Sequence, residues 1–471
     1  MRHTTATVVL ALACAAQFMV VLDVSVVNVA LPSIQRVLDL PPTRLQWVAN
    51  AYALMFAGFL LLGGRLADLY GRKRTFSAGL GLFTVASLIG GLATTAEVLI
   101  AARAMQGLGA AVLAPATLTM LTATFPEGAR RTRALAIWTA VSLAGGAAGN
   151  LLSGALTQYL TWRSTLLINL PIGATAIALI TAVVTDDHPR ERAGRLDLPG
   201  AMLATVGLAT LTYGITAAHT DGWVDPAPLT ALSTGLTALT AFVLTQARTT
   251  RQPLLPLRLL RPRAIWLGNL LTLLVGAAFQ ISMWYFLTLY MQHVLGFTAL
   301  QTGLGFLPHT LLTLLVGLRL TPWLMRHIPS RTLIATGGLV AAAGFWWQSH
   351  LTADSTYWSG VLAPATALSI GGGLLVTPLT ATVTSGVPTA DAGAASGLMN
   401  TTKQVGGAVG LATLITLTNP GSGTPQQPAT AYSHAFAITA MALAAVAPLA
   451  LALPARPDPL EHRRARGTSS A

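Results

Sequence analysis

The chain runs to 471 residues, only 9% of them charged, where an ordinary soluble domain carries about 25%. Hydrophobic residues make up 53% and mean hydropathy is +0.63, yet the net charge is +13. A cytoplasmic globular protein is excluded because a soluble fold of this size exposes far more polar surface, and disorder is excluded because the bias is apolar.

A membrane-spanning helix needs about 20 mostly apolar residues, and charges punctuate this chain into fourteen segments of 18 or more. The first, 6–31, follows Met1, Arg2 and His3 and continues past Cys14, so it reads as an uncleaved span rather than a signal peptide. Cys14 is the single cysteine, which excludes a disulfide framework and any cysteine-based metal cluster. Then come 45–64, 75–96, 98–124, 134–160, 164–185, 198–218 and 226–247. The remaining six are 264–292, 296–318, 332–349, 357–383, 392–418 and 431–453. Eleven spans lack Asp, Glu, Lys and Arg; the first, fourth and thirteenth hold one each, Asp23, Arg103 and Lys403. No alternating pattern suggests a barrel, so the expected fold is an all-α polytopic membrane protein.

With the N-terminus placed inside, one set of connections holds 23 cations and the other holds three, Arg36, Arg44 and Arg163. That asymmetry is the positive-inside pattern and puts both termini in the cytoplasm. The basic excess is therefore a topology signal, and no nucleic-acid partner is expected. The connections are short, leaving no room for a soluble catalytic domain.

An internal repeat organises the spans. GGAAG at 145–149 matches GGAVG at 406–410, Pro126 matches Pro388, and Gly109 with Pro115 match Gly372 with Pro378, at offsets of 261 to 263. Spans one to six thus repeat as nine to fourteen. The predicted domains are a six-helix bundle over 1–185, an inserted pair with linkers over 186–263, a second bundle over 264–453, and a basic cytoplasmic tail over 454–471. Two such repeated halves are an architecture of secondary transporters, with substrate bound near the midplane between them.

The motifs carry a resemblance. The first span ends LDVSVVNVALP (22–32), and the second connection reads GGRLADLYGRKR (63–74). The fourth span has RAMQGLGAA (103–111), the sixth INLPIG (168–173), and the seventh opens LDLPG (196–200). Spans twelve and thirteen read GGGLLVTPLTATVTSGVPTADAGAASGLMNTTKQVGGAVG (371–410). Over most of its length the chain resembles the major facilitator superfamily, in its fourteen-helix drug:proton antiporter branch (EmrB/QacA subfamily). The resemblance implies proton-driven efflux of a drug, antibiotic or metabolite by alternating access.

Asp23 is the one acid inside a span, and burying a carboxylate at a helix centre costs roughly 2.5–3.5 kcal/mol on insertion scales, so its default reading is functional. The resemblance implies a proton-coupling role for Asp23 and Arg103; the alternative is a static ion pair that positions two helices. Gln106, one turn beyond Arg103, is placed to share its hydrogen bonds. In 63–74, Gly64 and Gly71 permit a tight connection, Asp68 can face a helix N-terminus or a basic partner, and Arg72, Lys73 and Arg74 suit anionic headgroups. The resemblance implies that this segment latches the two halves. Gly145, Gly149 and Gly154 resemble an antiporter glycine motif that allows close helix packing. This sequence departs from that motif, with Asn150 in place of the usual proline and Ser153 in place of a glycine, which puts the antiport-associated bend in doubt.

The spans hold one acid and two bases, so the expected substrate is neutral or anionic. Candidate cavity residues are Met19, Asn28, Asn50, Tyr52, Phe56, Gln106, Trp284, Tyr285, Tyr290 and Lys403. Asn50 stands where some members carry an acid, and Lys403 can meet an anionic group of the substrate. Asn28 also reads as a helix–helix hydrogen bond, and His309 as either a titrating group or a packing residue. The sequence shows no phosphate-binding loop, metal-ligand cluster or nucleophile–base set, so no cofactor, metal or enzymatic activity is expected. The expected partners are a small molecule, protons and lipid, for a monomer in a bacterial plasma membrane. A uniporter or importer, and less so a non-transporting receptor, stay open as alternatives.

Overall fold

The computed structural model describes residues 3–125, 129–183, 197–223, 225–248, 254, 257–384, 387, 392–418 and 426–454, apart from some side chains within helices, Asp68 among them. The predicted tail beyond 454 and the linker 184–196 fall outside this set. Every regular element among the described residues is helical. In chain order these are α1 (His3–Leu38), α2 (Pro42–Tyr70), α3 (Arg72–Gly91), α4 (Ala96–Thr124) and α5 (Ala129–Tyr159). Next come α6 (Ser164–Val183), α7 (Leu198–Asp221), α8 (Pro226–Arg248), α9 (Arg263–Val294) and α10 (Ala299–Leu324). The last are α11 (Ser330–Gln348), α12 (Tyr357–Thr384), α13 (Ala392–Thr418) and α14 (Ala429–Leu451). Ten of them are long and apolar enough to cross a membrane by length and composition; α2, α3, α11 and α13 stand beside these with 29, 20, 19 and 27 residues.

The helix ends follow from local chemistry. α1 stops where Asp39 enters the left-handed region at φ 49°, and Pro41 and Pro42 then open α2, where a missing N–H costs nothing. A single residue, Gly71 at φ 87°, turns the chain from α2 into α3, a backbone conformation that a side chain would strain. Gly64 does not share that role. It lies inside α2, so the turn expected of both glycines falls on Gly71 alone. The Thr95 hydroxyl caps α4, and Thr298 with Gln301 closes a capping box on α10. Asp197, the acid of LDLPG, caps α7 through Gly200 and accepts a bond from Gln246 of α8, tying the two helices at one end.

Packing sorts the helices into neighbourhoods. α1 lies on α5, and α4 on both α2 and α3, while α9 packs on α13 and α11 on α12 and α14. α7 and α8 pack on each other, and α7 also touches α2 and α13. Between the neighbourhoods, α2 meets α13 and α5 meets α10. The α5–α10 contact is a backbone approach. A Cβ added to Gly303 would stand 2.4 Å from the Asn150 carbonyl oxygen, and one on Gly154 would stand 2.7 Å from that of Ala299. Near that end of the molecule the Gln292 amide donates to the Val29 carbonyl at 3.0 Å, linking α9 to α1. Trp266, Trp323 and Trp358 are exposed on the outer surface of the helix bundle, whereas Trp162, at a helix end by sequence, is buried in the core.

Candidate functional site

Five helices contribute to one polar cluster built around a buried carboxylate. Asp23 of α1 is fully buried and pairs with Arg103 of α4, Nη1 to Oδ2 at 2.5 Å. The other oxygen, Oδ1, accepts from the Gln106 amide and from the Asn169 amide of α6, each at 3.0 Å. Gln106 in turn accepts from Arg103 at 2.9 Å and donates to the Ser87 hydroxyl of α3 at 2.7 Å. The guanidinium Nε donates to the Val48 carbonyl of α2 at 3.0 Å, and its carbon lies 4.6 Å from the centre of the Tyr52 ring. Buried charges persist only when paired and hydrogen-bonded, and this pair has both.

Close packing makes room for that cluster. A Cβ on Gly145 would stand 3.0 Å from the Phe18 carbonyl, and one on Gly149 2.6 Å from Ser25, so α5 lies directly against the helix carrying Asp23. The Ser153 hydroxyl, where the related motif has glycine, donates to the Val26 carbonyl at 2.5 Å and fastens the same face. Gly154 instead packs against α10, so the motif serves two helix contacts. Asn150 sits within an unbroken helical run of α5.

Beside the cluster lies a cavity of about 470 Å³, lined from α1, α2, α4, α5, α9, α10 and α13. Of the residues proposed from sequence, Asn28, Tyr52, Phe56, Trp284 and Lys403 line it, and so does Asn150. Met19, Asn50, Gln106, Tyr285 and Tyr290 do not. Met19 is packed among Leu12, Phe76 and Phe83, and Asn50 is fully buried. Gln106 is consumed by the Asp23 cluster. Tyr285 belongs to the apolar core around Phe286, and the Tyr290 hydroxyl donates to the Thr352 carbonyl at 3.0 Å.

Tyr52 belongs to both places. One side of its ring lies against Arg103 and the residue lines the cavity, so it walls the buried pair off from the open space. Lys403 is the one charged residue among those lining the cavity, and no carboxylate lines it. Although Lys403 lies midway along α13, its side chain is exposed to this space. The amide-bearing lining residues Gln17, Asn400 and Gln404, and the histidine His309, complete the polar part of the wall.

In the 63–74 segment, Arg72, Lys73 and Arg74 form the first turn of α3. Positive charge is disfavoured at a helix N-terminus, so local helix stability does not account for three cations there. The Asp68 side chain lies outside the described residues.

The sequence profile of the Major Facilitator Superfamily matches residues 13–411. The chain belongs to the Major Facilitator Superfamily. Members are multi-pass transporters of small molecules rather than enzymes. Among similar proteins, the cephamycin export protein CmcT of Amycolatopsis lactamdurans is 56% identical over 458 residues, covering 96% of this chain and 94% of that one. The puromycin resistance protein pur8 of Streptomyces alboniger is 40% identical, covering 86% and 80%. The methylenomycin A resistance protein of Streptomyces coelicolor is 35% identical, covering 84% and 82%. Among solved structures, an auto-inhibited POT family peptide transporter superposes with a TM-score of 0.69 at 16% identity, covering 97% of this chain and 98% of that one, which is a likeness of fold.

Sequence reasoning missed Ser87, Asn169 and the Val48 carbonyl. Asn169 had a signal, an amide inside the quoted INLPIG motif of an otherwise apolar span. Ser87 had none, since an intrahelical bond such as its own to the Phe83 carbonyl at 2.8 Å satisfies a membrane serine without any partner helix.

Proposed function

We propose that this protein expels a small anionic amphiphile, a cephamycin or a similar β-lactam carboxylate, in exchange for protons by alternating access. One observation carries the reading: the cavity sets a single cation, Lys403, against no carboxylate, while the acid is held apart in the Asp23–Arg103 cluster. An anionic group satisfies Lys403, whereas a dication meets like charge. Identity of 56% to a cephamycin export protein and 40% to a puromycin resistance protein supports export of an antibiotic. In this reading Asp23 is the proton-coupling group with Arg103, and Lys403 with Asn28, Tyr52, Phe56 and Trp284 forms the substrate cavity.

The same reading takes the chain as a member of the fourteen-helix drug:proton antiporter branch, built as six, two and six helices, and monomeric. In it the chain crosses a bacterial plasma membrane with both termini in the cytoplasm. Arg72, Lys73 and Arg74 then face anionic headgroups on the cytoplasmic side, and the 63–74 segment gates that side. One observation favours a uniporter instead: α5 runs from Ala129 to Tyr159 with Asn150 at the position of the motif proline.

The test is expression in a pump-deficient host challenged with cephamycins and other β-lactams. Protection by the wild type that is lost in Asp23→Asn and on collapse of the proton gradient supports the proposal. Equal protection by Asp23→Asn sinks the coupling role, and movement that only equalises concentrations makes the protein a uniporter.

A further inference from the structure

His309 lines the cavity from α10, and its surroundings fix which of its nitrogens carries the proton. Nδ1 lies 2.8 Å from the Ser369 hydroxyl of α12. That hydroxyl also lies 2.6 Å from the Ala365 carbonyl and 3.1 Å from the His309 carbonyl. Carbonyl oxygens only accept, and two oxygens 2.6 Å apart repel unless a proton lies between them. The single hydroxyl proton is therefore committed to backbone, and the serine oxygen has lone pairs left for the ring. In the neutral imidazole Nδ1 is then the N–H that donates to Ser369, and Nε2 holds the bare lone pair. The Trp284 and His309 rings meet in a T-shaped contact at 5.6 Å between centres, which helps to hold the imidazole plane. Among the described residues Nε2 makes no hydrogen bond.

We infer that His309, oriented by Ser369, is the hydrogen-bond acceptor of the substrate cavity, so that the transported anion carries an N–H or O–H donor as well as the anionic group. The inference rests on the export reading above and narrows it. Lys403 supplies only N–H donors, which suit a carboxylate, and cannot accept a hydrogen bond. Nε2 of His309 supplies an acceptor in the same cavity. A cephamycin offers both partners, a ring carboxylate and a side-chain amide N–H. A fatty-acid-like anion offers only the first, and leaves Nε2 desolvated and unpaired.

The experiment compares two β-lactam carboxylates that differ only in their side-chain amide, N–H in one and N-methyl in the other. Uptake of each is measured in proteoliposomes holding the full chain. Wild type is expected to show a KM about threefold to tenfold lower for the N–H compound, the range of one neutral hydrogen bond. His309→Leu is expected to bring the two KM values together by raising that of the N–H compound, with kcat changed less than about twofold. His309→Gln, which keeps an acceptor oxygen, restores part of the preference. Ser369→Ala removes the nearer partner of Nδ1 without altering the cavity lining and leaves only the Ala365 carbonyl at 3.5 Å, so it weakens the preference and leaves kcat in place. An undiminished preference in His309→Leu overturns the inference. If that variant fails to fold, an undiminished preference in Ser369→Ala does so. Wild-type protein that moves neither compound is a different result, and it removes the β-lactam reading itself.

Discussion

Replacing Asp23 with asparagine perturbs a carboxylate on which every oxygen is engaged. Oδ2 takes Arg103, and Oδ1 takes Gln106 and Asn169. An amide keeps one acceptor oxygen; whichever side it serves, its own N–H group faces donors on the other. The larger consequence is the stranded guanidinium, 2% exposed and without a counter-ion. Removing one partner of a buried pair costs about 3–5 kcal/mol, whereas neutralising both partners is often close to neutral. Asp23→Asn is therefore expected to lose about 3–5 kcal/mol, and Asp23→Asn with Arg103→Gln to return to within about 1–2 kcal/mol of wild type. A double-mutant cycle from reversible unfolding in mixed micelles reads both values. Gradient-driven accumulation in vesicles then separates the two meanings of the pair. A static clamp predicts that the double variant regains accumulation together with stability. Proton coupling predicts that stability returns and accumulation does not, because no titratable group is left at position 23. A double variant that concentrates substrate like wild type would refute the coupling role. A single variant that loses less than about 1 kcal/mol would refute the burial argument.

Lys403→Gln removes the cavity's cation and should raise KM for a carboxylate substrate by about ten- to a hundredfold, the range of a charge-assisted hydrogen bond, while the methyl ester of the same compound changes less than about twofold. Tyr52→Ala opens the wall between the cavity and the buried pair, so Asp23 should become open to carbodiimide labelling, read by mass spectrometry, where the wild type is protected. Gly303→Val drives a side chain into the Asn150 carbonyl, 2.4 Å from the added Cβ, and should abolish transport, whereas Gly81→Ala, with nothing within 4 Å, should leave it unchanged.

The helices were legible because charge is nearly absent between the connections, and hydropathy alone then marks the spans. The Asp23–Arg103 pair was legible as one of the alternatives for the same reason, since a lone acid inside apolar spans has only Arg103 and Lys403 as spanning cations to satisfy it. Cavity aromatics were harder to place. Trp284 and Tyr285 are neighbours, about 100° apart on a helix, so they face different ways, and composition does not say which faces inward. α9 also carries a π-helical stretch, Ala277–Ser282, immediately before them. The wider turn shifts the helical phase of everything that follows, so counting from the start of the span misplaces these residues. Tyr290 opens a second such stretch, Tyr290–Val294. On α2, by contrast, Tyr52 and Phe56 are one regular turn apart, stack at 6.0 Å between ring centres, and reach the same cavity. The glycines of α5 lie against two different helices, and the sequence did not name them: Gly149 meets α1 and Gly154 meets α10, and nothing local to α5 distinguishes the two.

On the export reading proposed above, exchange of an anion for a proton requires the state of Lys403 to affect access to Asp23. Tyr52 stands between, because its ring lies over Arg103 and the residue lines the cavity. Coupling requires an element with two arrangements that both sites bias, and the helix carrying Tyr52 also touches the helix carrying Lys403. The Thr401 hydroxyl donates to the Ala57 carbonyl at 3.1 Å, two residues from Lys403 on α13 and five from Tyr52 on α2. In that proposal, a substrate bound at Lys403 acts on a surface formed by both helices, and a change in the angle between them moves the ring that lies over Arg103. In that proposal the reverse also follows: a proton on Asp23 would weaken its pairing with Arg103, the group against which the Tyr52 ring lies. By linkage each event shifts the other's equilibrium by the same free energy. On the proposed reading, the α2–α13 contact is where the energetics of export and of proton binding meet.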